Sequence, residues 1–117
     1  MADRVLFIGW GTPVRGREER ALEVFGESLG LYGRMQQEGR IESFDITLLD
    51  ANTVLSGFAE LKGDAAQIQA VEEDEEFRRT TMDASLIVEN LNVIAGYTNA
   101  GVAAEMALYT EAVSKVP

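Results

Sequence analysis

The sequence predicts an α+β domain with the element order β-α-β-β-α-β and one extra helix at the C-terminus. Three observations support this prediction. Short stretches have apolar residues on alternate positions or on both faces, as strands do, and longer stretches repeat them every three or four positions, as helices do. An acidic run, residues 72–76, precedes Phe77 and two arginines, which fits the start of a helix. This order is the split βαβ, or ferredoxin-like, arrangement with an antiparallel four-stranded sheet, and it spans residues 1–117 as one domain.

The first strand is predicted at Arg4–Trp10, where both faces are apolar, as in an inner strand covered on each side. Residues 11–16 form a loop because they contain two glycines and Pro13. A helix follows from Arg17 to Glu38 and ends at Gly39, a residue that favours a helix C-terminus. Its buried stripe is expected to be Leu22, Phe25, Leu29, Tyr32 and Met35.

The middle of the chain predicts a hairpin of two strands, Ile41–Leu49 and Val54–Lys62, joined by a turn at residues 50–53. Gly57 lies inside the second strand and indicates a bulge or close packing there. On this interpretation the sheet face away from the helices carries residues such as Phe44 or Phe58, and it needs cover. A second copy of the chain is the economical source, so we expect a homodimer.

Two helices are predicted after the hairpin. Asp64 is the expected N-cap of the first, with Gln67 completing a capping box, and Ile68 and Val71 pack it. The acidic run ends that helix and begins the next. That next helix extends from Asp74 to Val88, with one face lined by Phe77, Thr81, Ala84 and Val88.

The acidic run also offers two pairs at helical spacing, Asp74–Arg78 and Glu75–Arg79. A metal site or a partner-binding patch is the alternative interpretation of these carboxylates. Consecutive side chains on a helix point in different directions, so the sequence favours a solvated helix start and no metal site.

The last strand is predicted at Leu91–Tyr97, and Asn99 is expected to cap a final helix that runs to about Ser114. The apolar stripe of this C-terminal helix consists of Val102, Met106, Tyr109 and Val113.

Composition removes several classes of function. The net charge of −10 makes nucleic acid an unexpected partner, and no apolar run approaches a membrane span. The chain has no Cys and no His, which excludes thiolate, zinc-cysteine and Ser-His-Asp chemistry, as well as haem held by either residue. We therefore expect no cofactor. No signal peptide is visible, so we also expect a cytoplasmic protein.

Five segments, in order along most of the chain, resemble the dimeric α+β barrel superfamily, and within it a group of small bacterial proteins without an assigned activity. The segments are R-E-E-R-A-L-E-V-F (17–25), Q-E-G-R-I-E-S-F (37–44), L-S-G-F-A-E-L-K-G-D (55–64), E-E-F-R-R (75–79) and L-I-V-E-N-L-N-V (86–93). The resemblance implies a homodimer whose two sheets face each other, with the C-terminal helix near the partner. The superfamily includes cofactor-independent monooxygenases, small lyases and isomerases, and no catalytic motif carries over to this chain residue by residue.

Four residues are the candidate ligand-binding set: Trp10, Arg15, Arg78 and Tyr97, with Arg17 and Arg79 nearby in the sequence. Aromatic walls and a guanidinium group suit a small aromatic or carboxylate ligand. The alternative, which the sequence favours, is that the aromatics are ordinary partly buried residues and that the arginines balance an acidic surface.

Two further patterns are weaker. The stretch G-W-G-T-P-V at 9–14 begins like a dinucleotide-binding fingerprint, but Val14 replaces the third glycine and Pro13 lacks an N–H, so a simple turn is favoured. Asp45 and Glu60 are a conceivable acid/base pair on neighbouring strands.

Two functional hypotheses follow. The first is a small homodimeric α+β barrel protein that binds a small aromatic or carboxylate ligand. The second is a cofactor-independent monooxygenase or isomerase for a small aromatic or polyketide-like substrate, held by Trp10 and Tyr97, with Arg15 or Arg78 stabilising an enolate. An enzyme is expected to show a cavity of at least roughly 300 Å³ with an Arg or Asn facing it.

Overall fold

The computed structural model describes residues 1–117 and contains four strands and four helices. Their bounds are β1 Arg4–Trp10, α1 Glu18–Gln37, β2 Ser43–Leu48, β3 Gly57–Gly63, α2 Ala65–Glu73, α3 Glu75–Ser85, β4 Asn92–Tyr97 and α4 Ala100–Val113.

The four strands form one antiparallel sheet in the order β2-β3-β1-β4. The long helix α1 connects β1 to β2, and the helices α2 and α3 connect β3 to β4, so β1 and β3 lie in the centre. This is the ferredoxin-like topology, and it confirms the predicted α+β fold class and the extra C-terminal helix.

The core lies between one face of the sheet and the helices α1, α2 and α3. Leu6 and Ile8 of β1 pair in register with Leu61 and Ala59 of β3, and all four side chains are buried. The rest of this core consists of Leu31, Tyr32 and Met35 of α1, Ile41 after it, and Ile68, Val71 and Phe77 of the helical crossover. Ile68, Val71 and Phe77 therefore pack as the sequence predicts.

The opposite face of the sheet has no cover within the chain, but its residues differ in part from the expectation. Phe44 pairs with Leu61 and contacts Tyr32 of α1, with ring centroids 5.9 Å apart, so it belongs to the helix-covered face. The prediction for Phe44 is therefore wrong, because alternation from Leu61 fixes its side. Phe58 does lie on the open face, 5.3 Å from Phe7 between ring centroids.

Helix α1 buries a different set of residues from the predicted stripe. Tyr32 and Met35 are buried as expected, but Leu22 is 73% exposed. Val24 and Leu31, which the predicted stripe leaves out, are fully packed. Leu22, Phe25 and Leu29 line a cavity, described below, and Leu22 lies at its exposed edge.

The predicted starts of α2 and α3 are both present. Asp64 and Gln67 exchange two hydrogen bonds of 2.8 Å, which is the predicted capping box of α2. Asp74 caps α3 by accepting from the Phe77 N–H at 2.9 Å. Its other oxygen binds Arg40 at 2.6 Å, so the predicted Asp74–Arg78 pair does not form, whereas the Arg79–Glu75 pair does.

Several boundaries differ from the predicted ones. Strand β3 begins at Gly57 instead of Val54, and α3 ends at Ser85 instead of Val88. Asn99 precedes α4 but does not cap it with its side chain, because its φ is 50° and its amide donates to the Ala2 carbonyl at 2.8 Å.

Helix α4 projects from the rest of the chain with its apolar stripe in solvent. Val102, Met106, Tyr109 and Val113 are each about half exposed or more. The chain is accordingly elongated, with extents of 53 × 36 × 23 Å. None of the helices has the length and apolar character needed to cross a bilayer.

Candidate functional site: an apolar cavity between sheet and helices

A cavity of about 430 Å³ lies between the helix-covered face of the sheet and the helices α1 and α3. It occupies the end of the sheet where β1 and β2 finish and β3 begins. Trp10, Ile46, Leu48 and Ala59 come from the sheet, and the helices add Phe25, Leu29 and Ala84. The lining is mainly apolar, so the cavity suits an apolar molecule of a few rings.

Trp10 forms an aromatic wall together with Phe25 of α1, edge to face at 5.7 Å between ring centroids. The indole fits because Gly57, its partner on β3, has no side chain. A Cβ at Gly57 would lie 2.9 Å from the Trp10 ring and 2.7 Å from the Thr47 carbonyl oxygen. Gly57 thus sets the position of this wall.

Two hydroxyl groups lie one helical turn apart on α1, at Ser28 and Tyr32, and both residues line the cavity. Burial raises the pKa of Tyr32 to about 12, and the neighbouring Ser28 hydroxyl offsets part of that rise. The Ser28 hydroxyl donates to the Val24 carbonyl at 2.8 Å. Tyr32 therefore stays a neutral phenol at physiological pH.

Ion pairs hold α1 and α3 antiparallel on either side of these hydroxyls. Arg20 contacts Asp83 at 3.5 Å, and Arg34 pairs with Glu76 further along. Thr80, which lies between Glu76 and Asp83 on α3, also lines the cavity. The helices thereby bring hydroxyl groups from both sides into an otherwise apolar space.

The mouth of the cavity is formed by exposed residues that also belong to its lining, namely Pro13, Glu18, Leu22 and Leu48. Glu18 is the one charged residue among all that line the cavity. The volume of the cavity exceeds the roughly 300 Å³ expected of an enzyme. The second expectation is not met, because no Arg or Asn lines the cavity.

The candidate residues from the sequence are separated in the structure. Trp10 lines the cavity, whereas Arg15, Arg78 and Tyr97 do not. Tyr97 pairs with Arg4, at the end of β1 opposite to Trp10, and the Arg4 guanidinium lies 4.4 Å above its ring. A single pocket formed by these four residues is therefore not present within one chain.

The weaker patterns have structural explanations. The loop after β1 pairs with residues 87–89, since Gly11 N–H donates to Glu89 O at 2.6 Å and Val14 N–H to Ile87 O at 2.8 Å. These N–H groups are engaged and do not cradle a phosphate. Asp45 and Glu60 are direct neighbours across β2 and β3, on the open face away from the cavity.

The sequence analysis missed Glu18, Ser28 and Thr80 as lining residues. For Glu18 the sequence did contain a signal. Leu22, Phe25, Leu29 and Tyr32 share one face of α1, and Glu18 extends that face by one turn. Nothing in the sequence shows that this face meets empty space instead of a packed core.

The fold defines the class of this protein: a ferredoxin-like α+β chain, with a cavity between its sheet and helices. The structure is similar to that of SnoaB, a cofactor-independent oxygenase from Streptomyces nogalater. The TM-score is 0.51 at 16% sequence identity, and the match covers 84% of this chain and 93% of SnoaB. At this identity the similarity establishes the fold. No protein-family model and no curated protein matches the sequence.

Proposed function

We propose that this protein binds a largely aromatic small molecule in the cavity between the sheet and helices α1 and α3. The observation that carries the proposal is the cavity itself, about 430 Å³ and mainly apolar, with Trp10 and Phe25 on one wall. Rings stack or meet edge to face on such walls, and the hydroxyls of Ser28 and Tyr32 offer a partner to one polar group of the ligand. No guanidinium group lines the cavity to pair with a carboxylate ligand. Of the two ligand types that the sequence predicts, the aromatic one is therefore favoured over the carboxylate.

The only tryptophan of the chain lies in the cavity wall, so ligand binding can be followed by its fluorescence. We expect 2-naphthylmethanol to bind saturably, with a dissociation constant below about 1 mM. Ala84→Phe fills the cavity from α3 and should weaken binding at least about tenfold. Ala70→Phe makes the same change on the exposed surface of α2 and should leave binding unchanged.

Circular dichroism separates loss of binding from loss of folding in the Ala84→Phe variant. A probe that binds equally well to a folded Ala84→Phe variant, or that does not bind the unmodified protein at all, would contradict the proposal.

A homodimer belongs to this proposal because two apolar surfaces lack cover in a single chain. One is the sheet face opposite to the helices, where Ile94, the neighbour of Phe7 on β4, is 55% exposed, and the other is the exposed stripe of α4. Exposed apolar surface of this extent usually marks an interface between proteins. Light scattering is expected to give the mass of a dimer, and a strictly monomeric mass at micromolar concentrations would refute it.

The second candidate function is cofactor-independent oxygenation of the bound molecule, favoured by the fold shared with SnoaB. In this candidate the neutral Tyr32 hydroxyl donates a hydrogen bond to a substrate oxygen that becomes negative during the reaction. We expect oxygen uptake with some member of a panel of one- to three-ring phenols, and at least about a tenfold loss in Tyr32→Phe. Saturable binding without oxygen uptake across the panel would leave the binding function and exclude this one.

A further inference from the structure

The mouth of the cavity carries a single charge. Glu18 is exposed, lies in the first turn of α1 and is the only charged residue in the lining. One of its carboxylate oxygens accepts from the Gly16 N–H at 2.8 Å, which fixes the side chain against the loop. A carboxylate has further lone pairs, so it can still accept a hydrogen bond from a ligand.

None of the nearby arginines forms a salt bridge with Glu18. Arg17 donates to the Leu86 carbonyl at 2.5 Å, and Arg20 pairs with Glu23, Glu27 and Asp83. Arg15 is exposed and outside the lining. The whole chain carries a net charge of −10, which favours the approach of a cation over that of an anion.

The aromatic wall lies deeper along the same helix. Phe25 follows Glu18 by seven residues on α1, which corresponds to two helical turns and about 10 Å of rise. A two-ring aromatic with a short arm spans that distance, with its rings against Trp10 and Phe25 and its arm at Glu18.

We propose that the cavity selects an aromatic amine, with the ammonium group at Glu18 and the rings between Trp10 and Phe25. This inference rests on the proposed binding function and specifies the charge of its ligand. A neutral analogue binds more weakly, and an aromatic carboxylate binds most weakly because it meets Glu18 with like charge.

Three probes with the same ring system test the inference: 2-naphthylmethylamine, 2-naphthylmethanol and 2-naphthoate, titrated by calorimetry at pH 7. We expect the amine to bind about threefold to fivefold more tightly than the alcohol, as for an exposed ion pair, and the carboxylate to bind more weakly than the alcohol. Added salt should reduce the preference because it screens exposed charges.

Glu18→Gln keeps an oxygen for the Gly16 N–H and removes the charge, so the amine and the alcohol should bind alike. Glu19→Gln is the matched control, since it removes the same charge from the neighbouring exposed residue, which does not line the cavity. The Glu19→Gln variant should retain the preference for the amine over the alcohol.

The outcomes separate the two proposals. Saturable binding of the alcohol with no advantage for the amine would overturn the amine assignment and leave the binding function. An advantage that persists in Glu18→Gln, or disappears equally in Glu19→Gln, would also overturn it. The amine assignment would likewise be overturned if 2-naphthoate bound most tightly of the three probes and Arg15→Ala abolished that binding. If none of the three probes binds, both proposals fail.

Discussion

Tyr32 shows how a single buried side chain makes the stability of this protein depend on pH. Its pKa is raised from 10.0 to about 12, chiefly by burial, so the folded state holds the phenolic proton more tightly than the unfolded state does. This contribution is fully present below pH 10 and is lost as the pH rises towards 12.

We therefore expect the free energy of unfolding to fall by about 2 to 3 kcal/mol over that range through Tyr32 alone. Urea unfolding of the unmodified protein and of Tyr32→Phe, compared between pH 9 and 11.5, isolates this effect. The free energy of unfolding of the unmodified protein should fall relative to that of Tyr32→Phe as the pH rises, and a constant difference between the two would contradict the assignment.

Gly57 is the second residue with a measurable consequence. Gly57→Ala would place a Cβ 2.7 Å from the Thr47 carbonyl, which is backbone and cannot move aside easily. We expect a loss of about 1–3 kcal/mol in urea unfolding. Gly26→Ala is the control, because Gly26 lies in α1 with open space around it and should gain up to about 1 kcal/mol. Equal effects of the two substitutions would argue against this account of Gly57.

At the scale of elements, Asp74 joins α3 to the end of α1. It caps α3 through the Phe77 N–H and binds Arg40, which follows α1. Partial burial tends to raise the pKa of Asp74, but the hydrogen bonds from Phe77 and Arg40 outweigh this effect and lower the pKa below 3.8. The stabilisation is therefore present above that pH and lost as the pH falls through the lowered pKa.

Asp74→Ala is expected to cost about 0.5–2 kcal/mol at pH 7, as the loss of an N-cap does. The difference from the unmodified protein should shrink as the pH falls below 3.8, which urea unfolding at several pH values measures. Asp83→Ala, also a carboxylate of α3 but in an exposed ion pair with Arg20, should cost less. A pH-independent cost in Asp74→Ala would refute the role of its charge.

The elements themselves were largely predictable from local signals. The strand at Arg4–Trp10 is confirmed in full, and the capping box at Asp64 gives the start of α2. The cavity was not predictable, because the same helical spacing of Leu22, Phe25 and Leu29 arises whether a face meets a packed core or an empty space. The positions of Arg15 and Tyr97 depend on strand register and loop path, which a single sequence does not specify.

At the scale of the whole molecule, the exposed stripe of α4 and the open sheet face predict that stability depends on protein concentration. If two chains cover these surfaces, only the folded dimer gains from the contact, and mass action raises the melting temperature with concentration. Thermal unfolding monitored at about 1 and about 100 µM protein should show a higher melting temperature at the higher concentration. A melting temperature that is independent of concentration would contradict a dimer.

The start of α4 has a consequence for how such a dimer would assemble. Thr98 N–H and the Asn99 amide both donate to the first three residues of the chain, and a Cβ at Gly101 would lie 2.2 Å from the Asp3 carbonyl oxygen. The N-terminus therefore holds α4 at a fixed angle before a partner arrives. Two rigid surfaces can associate without first ordering a segment, so the rate of assembly is set by the encounter of two strongly acidic chains, and salt should accelerate it.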